Sequence, residues 1–250
     1  MLISNFFQNN WLFAFCLHLC LISFAQRFSL LTKNGWVHAG ILGTILWGSL
    51  GWEGWLSVVF YLLMGSLVTK IGFAEKELRG ISEGRGGMRG PENVWGSAAT
   101  GTFFALLTQF DLWSKQLLLI GFAASFVAKL GDTFGSEIGK RWGRKTFLIT
   151  SLRPVSAGTD GGISFEGTIS SFFGSILMAF IMLKLSLIPG GMVFYIVTFS
   201  AFVATLLESF IGALYQKKFS FLTNEVVNFL QTFLAALIAI FLTLFMGILI

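Results

Sequence analysis

Charged residues, cysteine and proline are all scarce in this sequence. Asp, Glu, Lys and Arg make up only 12% of the 250 residues, about half the share in a typical soluble domain. The two cysteines, Cys16 and Cys20, lie in one apolar run without a metal-binding partner set, where thiols usually pack as small hydrophobic groups. Strict alternation over segments of about ten residues, typical of membrane β-barrels, is also lacking. A soluble domain, a zinc site at these cysteines and a membrane barrel are therefore disfavoured.

Apolar residues dominate instead, at 55% of the chain with a mean hydropathy of +0.79. A helix needs about 20 apolar residues to cross a bilayer. Eight apolar segments predict an all-α polytopic membrane protein with a single integral domain over residues 1–250. Because only Glu53 separates the second and third segments, these two could form a short re-entrant hairpin instead. The segments are residues 11–31, 36–52, 54–72, 94–110, 116–130, 168–187, 192–212 and 226–250.

Basic residues concentrate in alternate loops between these segments. Fifteen of the 17 Lys and Arg residues would share one side, and only Lys115 and Lys184 would lie on the other. Because Lys and Arg accumulate in cytoplasmic loops, we expect both termini on the non-cytoplasmic side. The net charge of +5 then reflects topology, and no nucleic-acid partner is expected.

Acidic residues follow the same distribution, which topology alone does not explain. Ten of the 12 lie on or near the basic side, all except Glu53 and Asp111, although acids contribute little to orientation. A polar site on the cytoplasmic face accounts for both signs of charge. Its predicted loops are residues 73–93, 131–167 and 213–225.

The first polar block is SEGRGGMRGPENVWG, residues 82–96. Its glycines let backbone N–H groups approach an anion, and Arg85 and Arg89 offer planar forks to phosphate or carboxylate. Asn93 is predicted to open a helix, whose N-terminus adds partial positive charge. The alternative is a flexible loop whose arginines contact anionic lipid headgroups.

The second block is KLGDTFGSEIGKRWGRK, residues 129–145. Glycines recur every four residues from position 131 to 139, which predicts close approach of another helix. Asp132 and Glu137 lie where the helix dipole disfavours acids, so a metal ion or the following Lys140 and Arg141 would offset their charge. We favour a metal-and-phosphate site over a helix end that simply enters water.

The third block, RPVSAGTDGGISFEGTISS, is a small-residue loop over residues 153–171. It lacks the Walker pattern, so its similarity to phosphate-binding loops is limited to the accessible backbone that small residues provide. Asp160 in this loop and Asp132 would supply two carboxylates from different elements, which suits Mg²⁺.

The fourth block contains Glu208 and the stretch TNEVVN, residues 223–228. An ionisable group inside an apolar run, such as Glu208, is a candidate functional residue. Thr223 or Asn224 as a helix cap and Glu225 as a first-turn acid could be explained by capping alone.

Four ordered blocks resemble an integral membrane family that includes the phytyl-phosphate kinases of plants and cyanobacteria and the transmembrane protein 19 group of animals. They read GRGGMRGPENVWGS, GDTFGSEIGK, RPVSAGTDGGISFEGTISS and LESFIGALYQ…LTNEVVNFLQT. The resemblance covers most of the chain from about Glu75 onward. It implies a CTP-using enzyme that phosphorylates phytyl phosphate to phytyl diphosphate, for tocopherol and related prenyl-lipid synthesis from salvaged phytol.

Transfer between two anions requires positive charge and positioning more than a strong base. We therefore predict that Asp132 and Asp160 hold Mg²⁺, with Glu137 as a third or outer ligand. Arg85 and Arg89 are predicted to hold the acceptor phosphate. Further phosphate-binding positions are Asn93, Arg153, Gly158, Thr159, Gly161 and Gly162. Supporting positions are Lys140, Glu208, Asn224, Glu225 and Asn228.

The expected partners are the lipid bilayer, a prenyl phosphate and a nucleoside triphosphate, in a plasma or thylakoid membrane with the site facing the cytoplasm. The alternative is a transporter or flippase for a phosphorylated lipid or small anion. Charges at one face and the lack of an inverted repeat in the sequence count against a carrier, which usually binds its substrate at the midplane. A non-catalytic scaffold would have no use for carboxylates gathered with glycines.

Overall fold

The computed structural model of the protein describes residues 10–248, so the last two positions of the eighth apolar segment lie outside the described part. Helices account for most of this range, which agrees with the predicted helical membrane class. Five of them are long and apolar enough to cross a membrane: α2, α5, α6, α7 with the π turn that follows it, and α8. The α-helices are α1 (Asn10–Ala25), α2 (Lys33–Lys70), α3 (Phe73–Leu78), α4 (Pro91–Leu107), α5 (Lys115–Trp142), α6 (Phe165–Lys184), α7 (Met192–Ile211) and α8 (Asn224–Phe245). A 3₁₀ turn covers Arg85–Gly87 and the π turn covers Gly212–Gln216.

Helix α2 folds back on itself at Gly51, where φ is 74° and ψ is −165°. Arg89 contacts both of its halves. A Cβ at Gly35 would lie 2.5 Å from the Arg89 carbonyl oxygen, and a Cβ at Gly65 would lie 2.5 Å from Nη2 of the same arginine. In a straight helix these glycines would be about 45 Å apart, so the halves must run antiparallel. The second and third apolar segments therefore form a helical hairpin with arms of roughly 27 Å each.

The loops rich in basic residues meet at one end of the helices, here called the polar end. The Arg89 N–H donates to the Leu30 carbonyl at 3.1 Å, and Nη1 of Arg79 donates to the Lys140 carbonyl at 2.9 Å. At the opposite end, Gln109 donates to a backbone carbonyl beside the turn of the α2 hairpin. The structure thus groups these loops as the charge pattern predicts. The loops at the polar end are residues 26–32, 71–90, 143–164 and 212–223.

A three-stranded antiparallel sheet lies between α5 and α6, with strand order β2-β1-β3. Its strands are β1 (Thr146–Leu148), β2 (Pro154–Val155) and β3 (Gly162–Ser164). The stretch 131–167, which the sequence predicted as a loop, contains regular structure in this mostly helical fold. The first twelve of these residues continue α5, and the sheet occupies much of the rest. Strands of two or three residues are too short to produce a recognisable alternation.

Helix α5 lies in the middle of the bundle and packs closely against α6. A Cβ at Gly131 would lie 2.2 Å from Oγ of Ser175, and a Cβ at Gly135 would lie 3.0 Å from Cβ of Ser171. The close approach predicted from the glycine spacing is therefore confirmed, and the partner is α6. Because α5 extends beyond the apolar core, its last three turns carry polar side chains into the polar end.

Candidate functional site

A cavity of about 470 Å³ opens at the polar end. Residues from α2, α4, α5, α6, α7, α8 and two loops line it, so distant parts of the sequence converge there. All the predicted site residues line it except Arg153, whose side chain is exposed. The lining set includes Arg85, Arg89, Asn93, Asp132, Glu137, Lys140, Gly158, Thr159, Asp160, Gly161, Gly162, Glu208, Asn224, Glu225 and Asn228.

Lys129 lines the cavity, and no role was predicted for it from the sequence. Its side chain is nearly buried, forms an ion pair with Asp132 and donates to Oδ1 of Asn228 at 2.7 Å. A charged residue in the apolar segment 116–130 was the signal that could have identified it. The ion pair orients the Asp132 carboxylate and places a positive charge beside the cavity.

Asp160 reaches the same cavity because the loop before β3 packs onto the end of α7. Gly161 makes this contact with φ at 71°, and a Cβ there would lie 2.5 Å from the Ser209 carbonyl oxygen. The neighbouring residue on α7, Glu208, is within electrostatic range of both Asp132 and Asp160. Three carboxylates from three different elements thus face one cavity.

Replacing Gly161 with Ala is expected to loosen this loop and lower the thermal unfolding temperature. The new Cβ would add a clash with α7 to the strain of a positive φ, which alone costs about 1–2 kcal/mol. Gly80→Ala is the matched control, because φ there is 67° and nothing lies within 4 Å of the added Cβ. Faster amide exchange over residues 156–163 in Gly161→Ala only would support the contact, and equal effects of both variants would contradict it.

Glu137 has two ammonium partners at the position where a metal was predicted. It is 2% exposed and pairs with the fully buried Lys76 and, at 3.1 Å, with Lys140. Lys140 also contacts Glu83 at 2.8 Å. Burial raises the pKa of Glu83, but attraction and hydrogen bonding from Lys140 outweigh it and hold the pKa below its ordinary value. This cluster ties α3 and the following loop to α5, so the contacts of Glu137 are those of a structural residue.

The glycine-rich loop is ordered by its own polar side chains. Arg85 forms an ion pair with Glu92 and donates to Oδ1 of Asn93 at 2.7 Å. Nδ2 of Asn93 donates to Glu225 on α8 at 3.0 Å. These contacts favour an ordered loop over the flexible alternative. Helix α4 begins at Pro91 rather than Asn93, because proline suits the first helical position.

Arg89 retains a positive charge that no carboxylate in the described range 10–248 neutralises by an ion pair. Its Nη1 donates to the Tyr61 hydroxyl at 2.8 Å, and its guanidinium lies 5.1 Å from the centre of the Tyr61 ring. Gly65 leaves room for this guanidinium, since a Cβ would lie 2.5 Å from Nη2. Arg89 can therefore bind an anionic group that enters the cavity.

The donor chemistry of the cavity fits a hard divalent cation. Mg²⁺ is usually held by one or two carboxylates, waters and substrate phosphates, and Asp132, Asp160 and Glu208 offer carboxylates on different walls. Within the described residues, no three His, Cys, Asp or Glu side chains are close enough to form a complete protein cage for a metal. Such a cage is the less common arrangement for Mg²⁺.

The sequence of the chain was compared with those of known proteins, and it matches an integral membrane family. The family profile described as "Integral membrane protein DUF92" matches residues 16–236. An uncharacterized membrane protein of Synechocystis, sll0875, is 50% identical over 92% of this chain and 90% of its own length. Protein VTE6, chloroplastic, of Arabidopsis thaliana is 37% identical over 86% of this chain and 66% of its own length. An uncharacterized membrane protein of Methanocaldococcus jannaschii, MJ0933, is 29% identical over 92% and 93%. No solved structure matches the chain.

Proposed function

Because the chain belongs to the DUF92 family of integral membrane proteins, we propose that it is a membrane phosphotransferase that uses CTP to convert a prenyl monophosphate, phytyl phosphate, to the diphosphate. The observation that carries this proposal is the single cavity in which unpaired Arg89, a glycine loop and three carboxylates meet. The resemblance of four sequence blocks to phytyl-phosphate kinases supports the substrate. The cavity lies at the polar end and not at the midplane, where carriers usually bind substrate.

The acceptor phosphate would lie between Arg89 and Arg85, which hold its charge and aim one oxygen into the cavity. A phosphate monoester is largely doubly ionised near neutral pH, since its second pKa is about 6. No protein base is therefore needed to activate the attacking oxygen. The two arginines instead reduce the repulsion between two anionic reactants and fix their distance.

The donor phosphates would lie on the loop from Gly158 to Gly162, whose backbone can approach an anion closely. Asp132 and Asp160 would hold Mg²⁺, with Glu208 as an outer ligand, and the bound ion would neutralise charge on the donor phosphates. Lys129 would keep Asp132 oriented towards the cavity and add a positive charge where the phosphoryl group is transferred. Glu208 would thus share the outer-ligand role that the sequence suggested for Glu137.

The same proposal includes a topology of eight spans with the polar end in the cytoplasm and both termini opposite, in a plasma or thylakoid membrane. The two arms of the α2 hairpin, each roughly 27 Å long, approach the ~30 Å of a bilayer core. A membrane-impermeant thiol reagent should label Leu78→Cys and Leu112→Cys from opposite sides. Labelling of both from one side would exclude this topology.

Purified protein in detergent, given phytyl phosphate, Mg²⁺ and each of CTP, ATP, GTP and UTP in turn, is expected to form phytyl diphosphate fastest with CTP. The product is measured by mass spectrometry, with boiled protein as the control. If another nucleotide gives the fastest reaction, the proposed phosphate donor is wrong but the proposed phosphoryl transfer is not. If no nucleotide yields product with folded protein, the kinase proposal is wrong.

A further inference from the structure

An apolar cavity of about 130 Å³ adjoins the polar cavity. It lies between α1, the two arms of the α2 hairpin and α4. Its walls are almost entirely hydrocarbon, with Ile22, Leu42, Leu46, Val58 and Val94 among the lining side chains. Four residues line both cavities, namely Tyr61, Arg89, Asn93 and Ser97. The two cavities therefore meet at the Arg89 guanidinium, which has no carboxylate partner among residues 10–248.

We propose that the apolar cavity binds the hydrocarbon tail of a long-chain lipid monophosphate whose phosphate is held by Arg89 at this junction. The inference deepens the proposed function and rests on it in taking a lipid phosphate as the acceptor. It assigns the tail to α1, the α2 hairpin and α4, which lie apart from the carboxylates on α5 and α7.

The junction has the chemistry of an amphipathic ligand. Arg89 is half-buried and bonded to the Tyr61 hydroxyl at 2.8 Å, so its charge is fixed between a polar space and an apolar one. A ligand with only an anionic head would leave the apolar cavity unfilled, and a neutral hydrocarbon would leave Arg89 without a counter-charge. A lipid phosphate would fill the apolar cavity with its tail and neutralise Arg89 with its head.

The apolar cavity has room for the first part of a tail. Its volume of about 130 Å³ is close to that of a cavity that binds benzene, so it would hold about five or six carbons. Its lining runs along the first arm of α2 from Trp36 to Leu46, a rise of about 15 Å. The rings of His18 and Trp55, which also line it, are 6.0 Å apart in an edge arrangement. The rest of a longer tail would lie beyond this cavity.

Helix α1 forms a thin outer wall between this cavity and the bilayer. It sits tightly on the first arm of α2, where a Cβ at Gly40 would lie 2.0 Å from Ile22 and a Cβ at Gly43 would lie 2.2 Å from His18. Only Ala14 and His18 are buried within the helix, and eight of its 16 residues are exposed.

The test compares two valine-to-tryptophan variants in α2 by equilibrium binding in nanodiscs without nucleotide. Val58 lines the apolar cavity, whereas Val37 is 47% exposed and does not line it. Val58→Trp is expected to weaken phytyl phosphate binding at least tenfold, because displacing two buried methylenes suffices for a change of that size. It should leave the binding of inorganic phosphate, which has no tail, unchanged. Val37→Trp should alter neither. Equal loss for both ligands, or no loss for phytyl phosphate, would overturn the proposal.

A second measurement needs no cavity variant. A lipid phosphate with a diazirine about five carbons from its phosphate should label peptides from residues 18–25 or 39–62 in the unmodified protein. Excess phytyl phosphate should suppress this labelling, whereas a bilayer phosphatidylcholine should not. Labelling elsewhere, or equal suppression by the phospholipid, would refute the assignment.

These readouts separate the inference from the proposed function. Tail labelling and tail-dependent binding without any diphosphate product would preserve the subsite and overturn the kinase. Diphosphate formation by Val58→Trp with an unchanged KM for phytyl phosphate would preserve the kinase and overturn the subsite.

Discussion

Asp132→Asn is expected to reduce phytyl diphosphate formation by at least about 100-fold, the loss typical of removing one group that stabilises a transition state. The change removes the carboxylate that faces the cavity and pairs with Lys129, yet it keeps the side-chain volume. Because Asp132→Asn also removes the counter-charge of Lys129, which is only 5% exposed, thermal unfolding in detergent is measured beside the rate to show that the variant is folded. Initial rates over a range of Mg²⁺ concentrations would measure the effect.

Asp111→Asn is the matched control for this variant. Asp111 is exposed between α4 and α5, at the end of the bundle away from the cavity, so its loss should leave the rate unchanged. Glu208→Gln should resemble Asp132→Asn in raising the Mg²⁺ concentration needed for half-maximal rate. Normal turnover with normal Mg²⁺ dependence in Asp132→Asn would contradict the metal assignment.

Glu137→Gln is expected to destabilise the protein by about 3–5 kcal/mol, the usual effect of breaking a buried ion pair. Lys76 is fully buried, and its ammonium also donates to the Thr69 carbonyl at 2.8 Å. Without the Glu137 carboxylate, its charge would lie in the interior with no counter-charge. Chemical or thermal unfolding in detergent would measure the loss.

The double variant Lys76→Met with Glu137→Gln tests the cause of that loss. Because it also removes the buried ammonium, its stability should exceed that of Glu137→Gln alone, which is a coupling that a double-mutant cycle detects. Arg141→Gln is the control, since its pair with Glu75 is partly exposed and should contribute at most about 1 kcal/mol. A stable Glu137→Gln with a shifted Mg²⁺ requirement would instead make Glu137 a metal ligand.

Hydropathy and charge in the sequence were enough to predict the long apolar helices and the loops that share an end, but not α3 or the last turns of α5. These properties act locally, because each apolar segment must satisfy its own backbone in the bilayer. The glycine spacing from position 131 to 139 likewise predicted a close helix contact, since i, i+4 positions share a helical face. Thr223 was a candidate cap, and its side chain does accept a hydrogen bond from the Val226 N–H.

The contacts that join separate elements were decided only by the tertiary structure. Lys76 and Glu137 are 61 positions apart, and Lys129 and Asn228 are 99 apart. Helical periodicity predicts which face a residue occupies but not which element packs against it. For this reason the sequence did not show the ammonium partners of Glu137, left Lys129 without a role and left open whether segments 36–52 and 54–72 span separately or form a re-entrant hairpin. The sequence by itself determined the helices and the polar end, whereas packing decided which charges are neutralised by partners and which remain to face the cavity.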